Sequence, residues 1–592
     1  MSTVDPTNVV HEKQARPEYL SDADNATILS SNAFRLSEED IQAARDVTPS
    51  RVSGKGLTWM VTFVAGTGFT LFGYDQGVMS GLLTLPSFEA QFPNTAGGFQ
   101  GSRTATLQSF MVAIYEIGCM MGAISSIWIG DRLGRRHTIS LGGFIMLVGS
   151  ILQTAAVDYA MMLVARVVTG VGNGLLTSTV PAYQSECSKP HRRGQLVLVE
   201  GSLIAFGIMI SYWMDLAFYF TSGSISWRFP IAFQIVFILV MIICMYTFRL
   251  PESPRWLAAK GKNAESLAVL AALSNTTVDD QEVMNTFHGI TDTLAAENSG
   301  SFKFSEIFTH GKSQHFRRTL LGMAAQCFQQ ICGINLITYY LTSVLTGLGL
   351  GAVMSRIISG VNGTCYFLTS LVAIAIVERA GRRPLMLWMA GFQAATMAIL
   401  AGLYDLSTDE VNPNKTAQVF SVLMLFLFNT WFSVGYLGMT WLYPAEVTPL
   451  RVRAPANALS TASNWVFNFM VVMATGPMFA NIGWGTYAFF AVINAVVILP
   501  SVYLFFPETK RYSLEDLDII FAKANTEGRS PVRVSLHPEE IPPAGSRQAE
   551  EILGRAPVAP LKSKTSHANK ITRALSRTSE SGKHRDQHHE TV

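Results

Sequence analysis

The sequence predicts an all-α membrane protein of twelve spanning helices in two six-helix repeats, and three observations predict it. The first is composition: 49% of the 592 residues are apolar, 15% are charged and mean hydropathy is +0.27, which argues against a set of soluble domains. The second is clumping. From about Leu57 to Phe506, apolar stretches of roughly 20 residues, the length that crosses a bilayer as a helix, recur between short polar loops. The third is a group of loop motifs that occurs once in each half of the chain.

Taken in order, the spans are predicted at 57 to 82, 104 to 129, 138 to 157, 160 to 183, 195 to 220 and 229 to 249, and then at 318 to 347, 353 to 377, 385 to 405, 418 to 443, 456 to 480 and 484 to 506. They divide the chain into a tail (1 to 56), a six-helix unit (57 to 249), a linker (250 to 317), a second six-helix unit (318 to 506) and a second tail (507 to 592). Every second loop is basic: RLGRRH (132 to 137), KPHRR (189 to 193), the 250 to 317 segment, RAGRR (379 to 383) and LRVR (450 to 453). By the positive-inside rule both termini are cytoplasmic. The linker is too polar to span, and the apolar spacing of AESLAVLAALSN (264 to 275) predicts short helices lying under the membrane. Residues 1 to 50 and those from about 523 onward are polar and poor in large apolar side chains, which predicts disorder.

The N-terminal stretch lacks the charged-then-apolar pattern of a signal peptide, so the first span is expected to direct insertion. The six cysteines (Cys119, Cys187, Cys244, Cys327, Cys332, Cys365) lie almost all in apolar segments without disulfide or zinc spacing and are read as packing residues. Asn414 opens an Asn-Lys-Thr glycosylation triplet in a predicted outer loop. The formal net charge of +2 says little about partners, because placement of charge matters more than its sum. No nucleophile spacing, phosphate loop or metal cluster is visible, so an enzyme, a cofactor, a metal site and nucleic-acid binding are not expected.

GDRLGRR (130 to 136) follows the second span and VERAGRR (377 to 383) the eighth. Glu186 and Arg193 follow the fourth as Glu446 and Arg453 follow the tenth, and Pro251-Glu252-Ser253 is echoed by Pro507-Glu508-Thr509. Parallel halves that each hold part of a midplane site are one way transporters are built. With PESPRW (251 to 256), QQICGIN (329 to 335) and PETK (507 to 510), these motifs resemble the sugar porter family of the major facilitator superfamily over residues 57 to 520. RVVTGVGNGLLTSTVPAYQSE (166 to 186), RRGQLVLVEGSLIAFG (192 to 207) and SYWMD (211 to 215) are similar to the fungal branch that contains the yeast glycerol–proton symporter and related hexose transporters.

Charges at the cytoplasmic helix ends form a candidate gate: Asp131, Arg135, Arg136, Glu186, Arg193, Glu252 and Arg255 in the first half, Glu378, Arg382, Arg383, Glu446 and Arg453 in the second. Such pairs can bridge the halves when the inner side is closed; the alternative is that they set topology and meet lipid headgroups. Individually they are weak, roughly 0 to 1 kcal/mol when exposed.

A charge within the bilayer costs about 2.5–3.5 kcal/mol or more, which marks it for function. Asp75, Glu116, Arg166 and Glu200 lie away from predicted helix ends. Asp75 and Arg166 are the natural pair, because making or breaking contact with an arginine moves a buried carboxyl between its charged and neutral forms. The resemblance implies the same, since proton-coupled sugar porters carry an aspartate and an arginine at these places. A static ion pair is the alternative, and Glu116 has the weaker case for function.

Sugars and polyols offer hydroxyls that donate and accept, so their sites need amides and an aromatic face. Gln329, Gln330, Asn335, Tyr339 and Tyr340 in the seventh span, Trp441 in the tenth, and Asn464 and Asn468 in the eleventh match substrate-contacting positions of the family. Where hexose porters have a glutamine in the fifth helix this chain has Gly201, preceded by Glu200; Tyr366 replaces an asparagine, and Thr440 a proline. Glu200 is therefore included in the expected site.

The expected function is import of a hexose, pentose or small polyol with a proton by a monomer in a fungal plasma membrane, without cofactor or metal. A uniporter of the same fold and a sugar sensor that does not transport are the alternatives.

Overall fold

The computed structural model describes residues 37–188, 193–298, 304–408, 414–449, 452–543 and 546–554. Twelve helices among them are long and apolar enough to cross a membrane: α1 (Gly54–Leu82), α2 (Ser102–Leu133), α3 (Arg135–Thr154), α4 (Tyr159–Glu186), α5 (Gln195–Tyr219), α6 (Ile225–Thr247), α7 (His315–Gly347), α8 (Ala352–Val377), α9 (Arg382–Thr408), α10 (Lys415–Val447), α11 (Pro455–Ile482) and α12 (Gly485–Phe505). At about 1.5 Å per residue even α3, with 20 residues, covers the roughly 30 Å of hydrocarbon. All twelve predicted spans are present, most extended at one or both ends by polar turns that reach beyond the apolar stretch.

Within the first half α2 packs on α4 and α1 on α5, and the halves meet through α2 with α11, α5 with α8, and α1 with α7. Apolar attraction between helices is absent in lipid, so close packing of small residues does this work. A Cβ on Gly118 would lie 2.3 Å from the Val167 carbonyl of α4, and one on Gly73 would lie 1.9 Å from the Ile204 carbonyl of α5.

Helices α7 and α10 are interrupted at buried positions. Helix α7 ends its first segment at Ile331 and restarts at Ile334, turning through Gly333 at φ 104°. In α10 a π-helical turn, Ser433–Leu437, frees carbonyls from the regular ladder, a feature frequent at functional sites.

Below the membrane, the linker forms helices at Pro254–Ala259, Asn263–Ser274 and Gln281–Asn298, in line with the spacing of 264 to 275. Helices also form in the two tails, the first of them within the stretch 1 to 50 that was expected to be disordered. Glu38–Asp46 is a helix whose Ala44 and Ile41 pack with Leu267 and Leu270 of the linker, and Arg45 pairs with Asp279 at 2.8 Å. Leu514–Glu527 is a helix whose Leu517, Ile520 and Ala524 pack with Val534. Both begin with a capping box, Ser37 with Asp40 and Ser513 with Asp516, which satisfies the exposed amides of a helix start that composition alone reads as coil. Arg318, at the start of α7, holds the second helix by a 2.6 Å bond to Asp518 and is itself anchored to the end of α10 by a 2.6 Å bond to the Val447 carbonyl. The expectations for 1 to 36 and 555 to 592 lie outside the described residues.

Candidate functional site

Four buried groups meet where α1, α2 and α4 face one another: Asp75, Tyr115, Glu116 and Arg166. The backbone contact of α2 with α4, where a Cβ on Gly170 would lie 2.2 Å from the Tyr115 carbonyl, sets Arg166 beside Tyr115. Its Nη2 donates to the Val112 carbonyl at 3.0 Å, and the guanidinium lies 5.1 Å from the Tyr115 ring centre. Arg166 Nε and Nη1 and both carboxyl oxygens of Asp75 have no hydrogen-bond partner. The two charges share one buried cluster and act on each other electrostatically, but the direct contact expected of them is not made.

Glu116 is better connected than its sequence position suggests. Its Oε1 accepts a hydrogen bond from the Tyr339 hydroxyl of α7, across the boundary between halves, while Oε2 has no partner.

The break in α7 brings the predicted amides together. Asn335 Nδ2 donates to Gln330 Oε1 at 2.6 Å, and Gln330 Nε2 donates to Asn464 Oδ1 of α11 at 2.5 Å and, more weakly, to Gln329 Oε1 at 3.4 Å. Gln329 Nε2 in turn reaches the Leu437 carbonyl at 3.2 Å, one of those exposed by the π turn of α10. Asn468 is buried with neither amide atom paired, and Asn464 Nδ2 is also without a partner. Trp441 meets Phe69 of α1 edge-on at 6.2 Å, and Trp465, which sequence reasoning passed over, meets Phe72 at 5.3 Å. Tyr340 bonds the Val472 carbonyl at 3.1 Å. The chain thus presents a polar amide cluster with aromatic edges from both halves.

Glu200 stands apart: it is buried on α5 with Oε1 unpartnered and no hydrogen bond to the amides. Its neighbour Gly201 explains the departure from glutamine, because a Cβ there would lie 3.1 Å from Gly438 Cα. The backbones of α5 and α10 nearly touch at this level. Tyr366 packs on Phe432 at 6.3 Å.

Toward the outer ends of the helices, a second charged cluster went unrecognised in the sequence because Asp215 and Arg356 sit near predicted helix ends. Buried Arg356 of α8 donates to the Gly81 carbonyl at 3.0 Å and to Thr84 Oγ1 at 2.7 Å, and its guanidinium lies 4.2 Å from the Tyr219 ring centre. Asp215 of α5 accepts from Gly81 N at 3.1 Å. Tyr212 to the Thr338 carbonyl (2.8 Å) and Trp213 to Thr364 (3.0 Å) add further bonds between α5 and the second half. The halves are therefore tied together on this side.

At the cytoplasmic ends the repeat of sequence is a repeat of geometry. Arg135 pairs with Glu186 at 3.0 Å and Arg382 with Glu446 at 2.9 Å. Glu252 accepts from Arg135 N at 2.8 Å and Arg136 N at 3.1 Å; Glu508 accepts from Arg382 N at 3.0 Å and Arg383 N at 3.2 Å. Arg136 lies over Tyr246 and Arg383 over Tyr503. Each motif needs its glycine: Gly134 (φ 86°) and Gly381 (φ 99°) adopt a backbone that other residues avoid, and a Cβ would lie 2.4 Å and 2.7 Å from the two glutamates. Asp131 pairs with Lys260 at 3.3 Å, Arg453 bonds the Thr448 carbonyl at 3.2 Å, and Arg255 sits in the linker helix Pro254–Ala259. Arg135–Glu186 and Arg382–Glu446 each join helices of one half, because each arginine opens the helix beside its acid. The side chains of Arg193 and Glu378 lie outside the described residues.

The family model described as "Sugar (and other) transporter" matches residues 60–521. The chain belongs to the sugar transporter family. Among relatives of this family, the Saccharomyces cerevisiae "Sugar transporter STL1" is 39% identical over 492 residues, covering 82% of this chain and 85% of the relative. The Escherichia coli "Galactose-proton symporter" is 29% identical over 469 residues, covering 79% and 95%. The proton:xylose symporter XylE, solved with 6-bromo-6-deoxy-D-glucose, superposes with a TM-score of 0.67 at 23% identity, covering 79% of this chain and all of XylE, which establishes the shared fold. The protein is thus a multi-pass member of the family, and a transporter.

Proposed function

We propose that this transporter imports a monosaccharide or small polyol together with a proton by alternating access, as a monomer in the plasma membrane. The observation that carries the reading is buried Asp75, both oxygens unpaired, in one cluster with Arg166. A carboxyl held in the membrane interior without a hydrogen bond is poised to exchange a proton when its distance to the arginine changes. The names of the yeast and bacterial relatives, a sugar transporter and a galactose–proton symporter, agree with it.

In this reading Gln329, Gln330, Asn335, Asn464 and Asn468 bind hydroxyls, with Tyr339 and Tyr340 beside them and Trp441 offering a ring face. Amides suit this work because each donates and accepts. Glu200, the remaining candidate, is buried on α5 without a bond to these amides. Substrate and proton load from outside, the cluster of Arg356 and Asp215 closes the outer side, and release follows when the cytoplasmic ends separate. The cytoplasmic pairs within each half, Arg135–Glu186 and Arg382–Glu446, hold neighbouring helix ends together as the halves rock.

The test is uptake of labelled hexoses, pentoses and glycerol in a transporter-deficient cell, with and without a protonophore. Accumulation above the external concentration that collapses with the pH gradient is expected. Accumulation that survives the protonophore contradicts proton coupling, and absence of uptake for every substrate favours the sensor alternative.

A further inference from the structure

Asp75 is one of two carboxyls in the cluster, and among the described residues one cation, Arg166, faces them. The titratable groups around Glu116 are Asp75 on α1, Tyr115 and Cys119 on α2, Arg166 on α4 and Tyr339 on α7; the part of α11 that packs against α2 carries none. Arg166 can balance one carboxylate. With both ionised, a buried negative charge is left with a single hydrogen bond, from Tyr339, and no ion pair, so that form is disfavoured and the pair readily takes up one proton on one acid or the other.

Of these acids, Glu116 is the one that accepts a hydrogen bond from the opposite half among the described residues. A tyrosine hydroxyl bonds an ionised carboxylate more strongly than a neutral acid. An ionised Glu116 therefore holds Tyr339, and with it the second segment of α7, against α2. A proton arriving on Glu116 loosens that bond and leaves the Tyr339 hydroxyl free for a substrate hydroxyl near the amides.

We propose that Glu116 is a second proton-carrying residue of the transport site, that it shares one proton with Asp75, and that Tyr339 relays its charge to the opposite half. The assignment rests on the proton-coupled reading above. The step balances simply: a proton from outside adds to a carboxylate oxygen of the pair, and the same proton leaves to the cytoplasm after substrate release.

Three forms are compared by initial uptake across external pH, with counterflow exchange measured in parallel. Glu116→Gln keeps an acceptor for Tyr339 but removes the shared charge, so Asp75 is fully balanced by Arg166 and takes a proton only in more acid medium. The midpoint of the pH profile moves to lower pH by about one unit, with about tenfold less accumulation near neutrality, while counterflow remains detectable. Tyr339→Phe removes the bond that favours the ionised form and moves the midpoint the other way. An unchanged midpoint in Glu116→Gln overturns the assignment. If that variant fails to reach the membrane, Tyr339→Phe decides alone: an unmoved or acid-shifted midpoint overturns it. A wild type insensitive to protonophore instead defeats the parent reading, which keeps the two failures distinct.

Discussion

Replacing Arg356 by alanine removes from the outer side two hydrogen bonds of a charged donor, to Gly81 O and Thr84 Oγ1, and one cation–π contact with Tyr219. Hydrogen bonds to charged groups contribute about 1.5–3 kcal/mol each, and a desolvated cation–π contact about 0.5–2 kcal/mol. Part of this is recovered when water enters the gap, so a net loss of about 3 kcal/mol is expected for the outer-closed state. That is about a hundredfold shift toward the outer-open state. A membrane-impermeant maleimide reads it through a cysteine at Ser80, buried on α1 against Thr342 of α7. Labelling of Ser80→Cys is expected to accelerate strongly when Arg356→Ala is added. Adding Asp215→Asn should restore part of the protection, because the variant no longer leaves Asp215 buried beside a missing cation. Equal labelling rates with and without Arg356 would refute the latch.

Gln330→Ala strands Asn335 Nδ2 and Asn464 Oδ1 and removes a substrate partner; a loss of about 1–3 kcal/mol should appear as a rise in KM for uptake of one to two orders of magnitude, and an unaltered KM would take Gln330 out of the binding site. Gly134→Ala and Gly381→Ala force a side chain into a positive φ, at about 1–2 kcal/mol, and displace Glu252 or Glu508; a clear fall in Tm of the detergent-solubilised protein is expected for each. Gly130→Ala, one turn earlier with open space around it, should leave Tm level or raise it, and an equal fall in all three would contradict the networks.

The twelve spans were legible because apolar length is a one-dimensional property, visible from Leu57 to Phe506 without knowledge of contacts. The repeat was legible for the same reason, and the mirrored pairs Arg135–Glu186 and Arg382–Glu446 give it a structural counterpart. The amides of QQICGIN announced a polar patch, and the turn at Gly333 joins them to Asn464. What the sequence hid depends on the third dimension. Glu116 looked structural until Tyr339 was found across the interface, and Arg356 looked like a helix-end charge until its partners on α1 and α5 were visible. The pairing of Asp75 with Arg166 was inferred from charge and from the family resemblance, neither of which shows that the guanidinium is engaged by Val112 and Tyr115. The helix at Glu38–Asp46 was missed because disorder was judged from composition, while capping and one apolar face decided the fold.

The central claim is that substrate movement is tied to a proton on Asp75, and Asp75→Asn tests it most directly. Accumulation of the labelled substrate and counterflow exchange are measured in the same cells, wild type beside variant. The account predicts that Asp75→Asn loses protonophore-sensitive accumulation while exchange persists. Full accumulation in Asp75→Asn would contradict it.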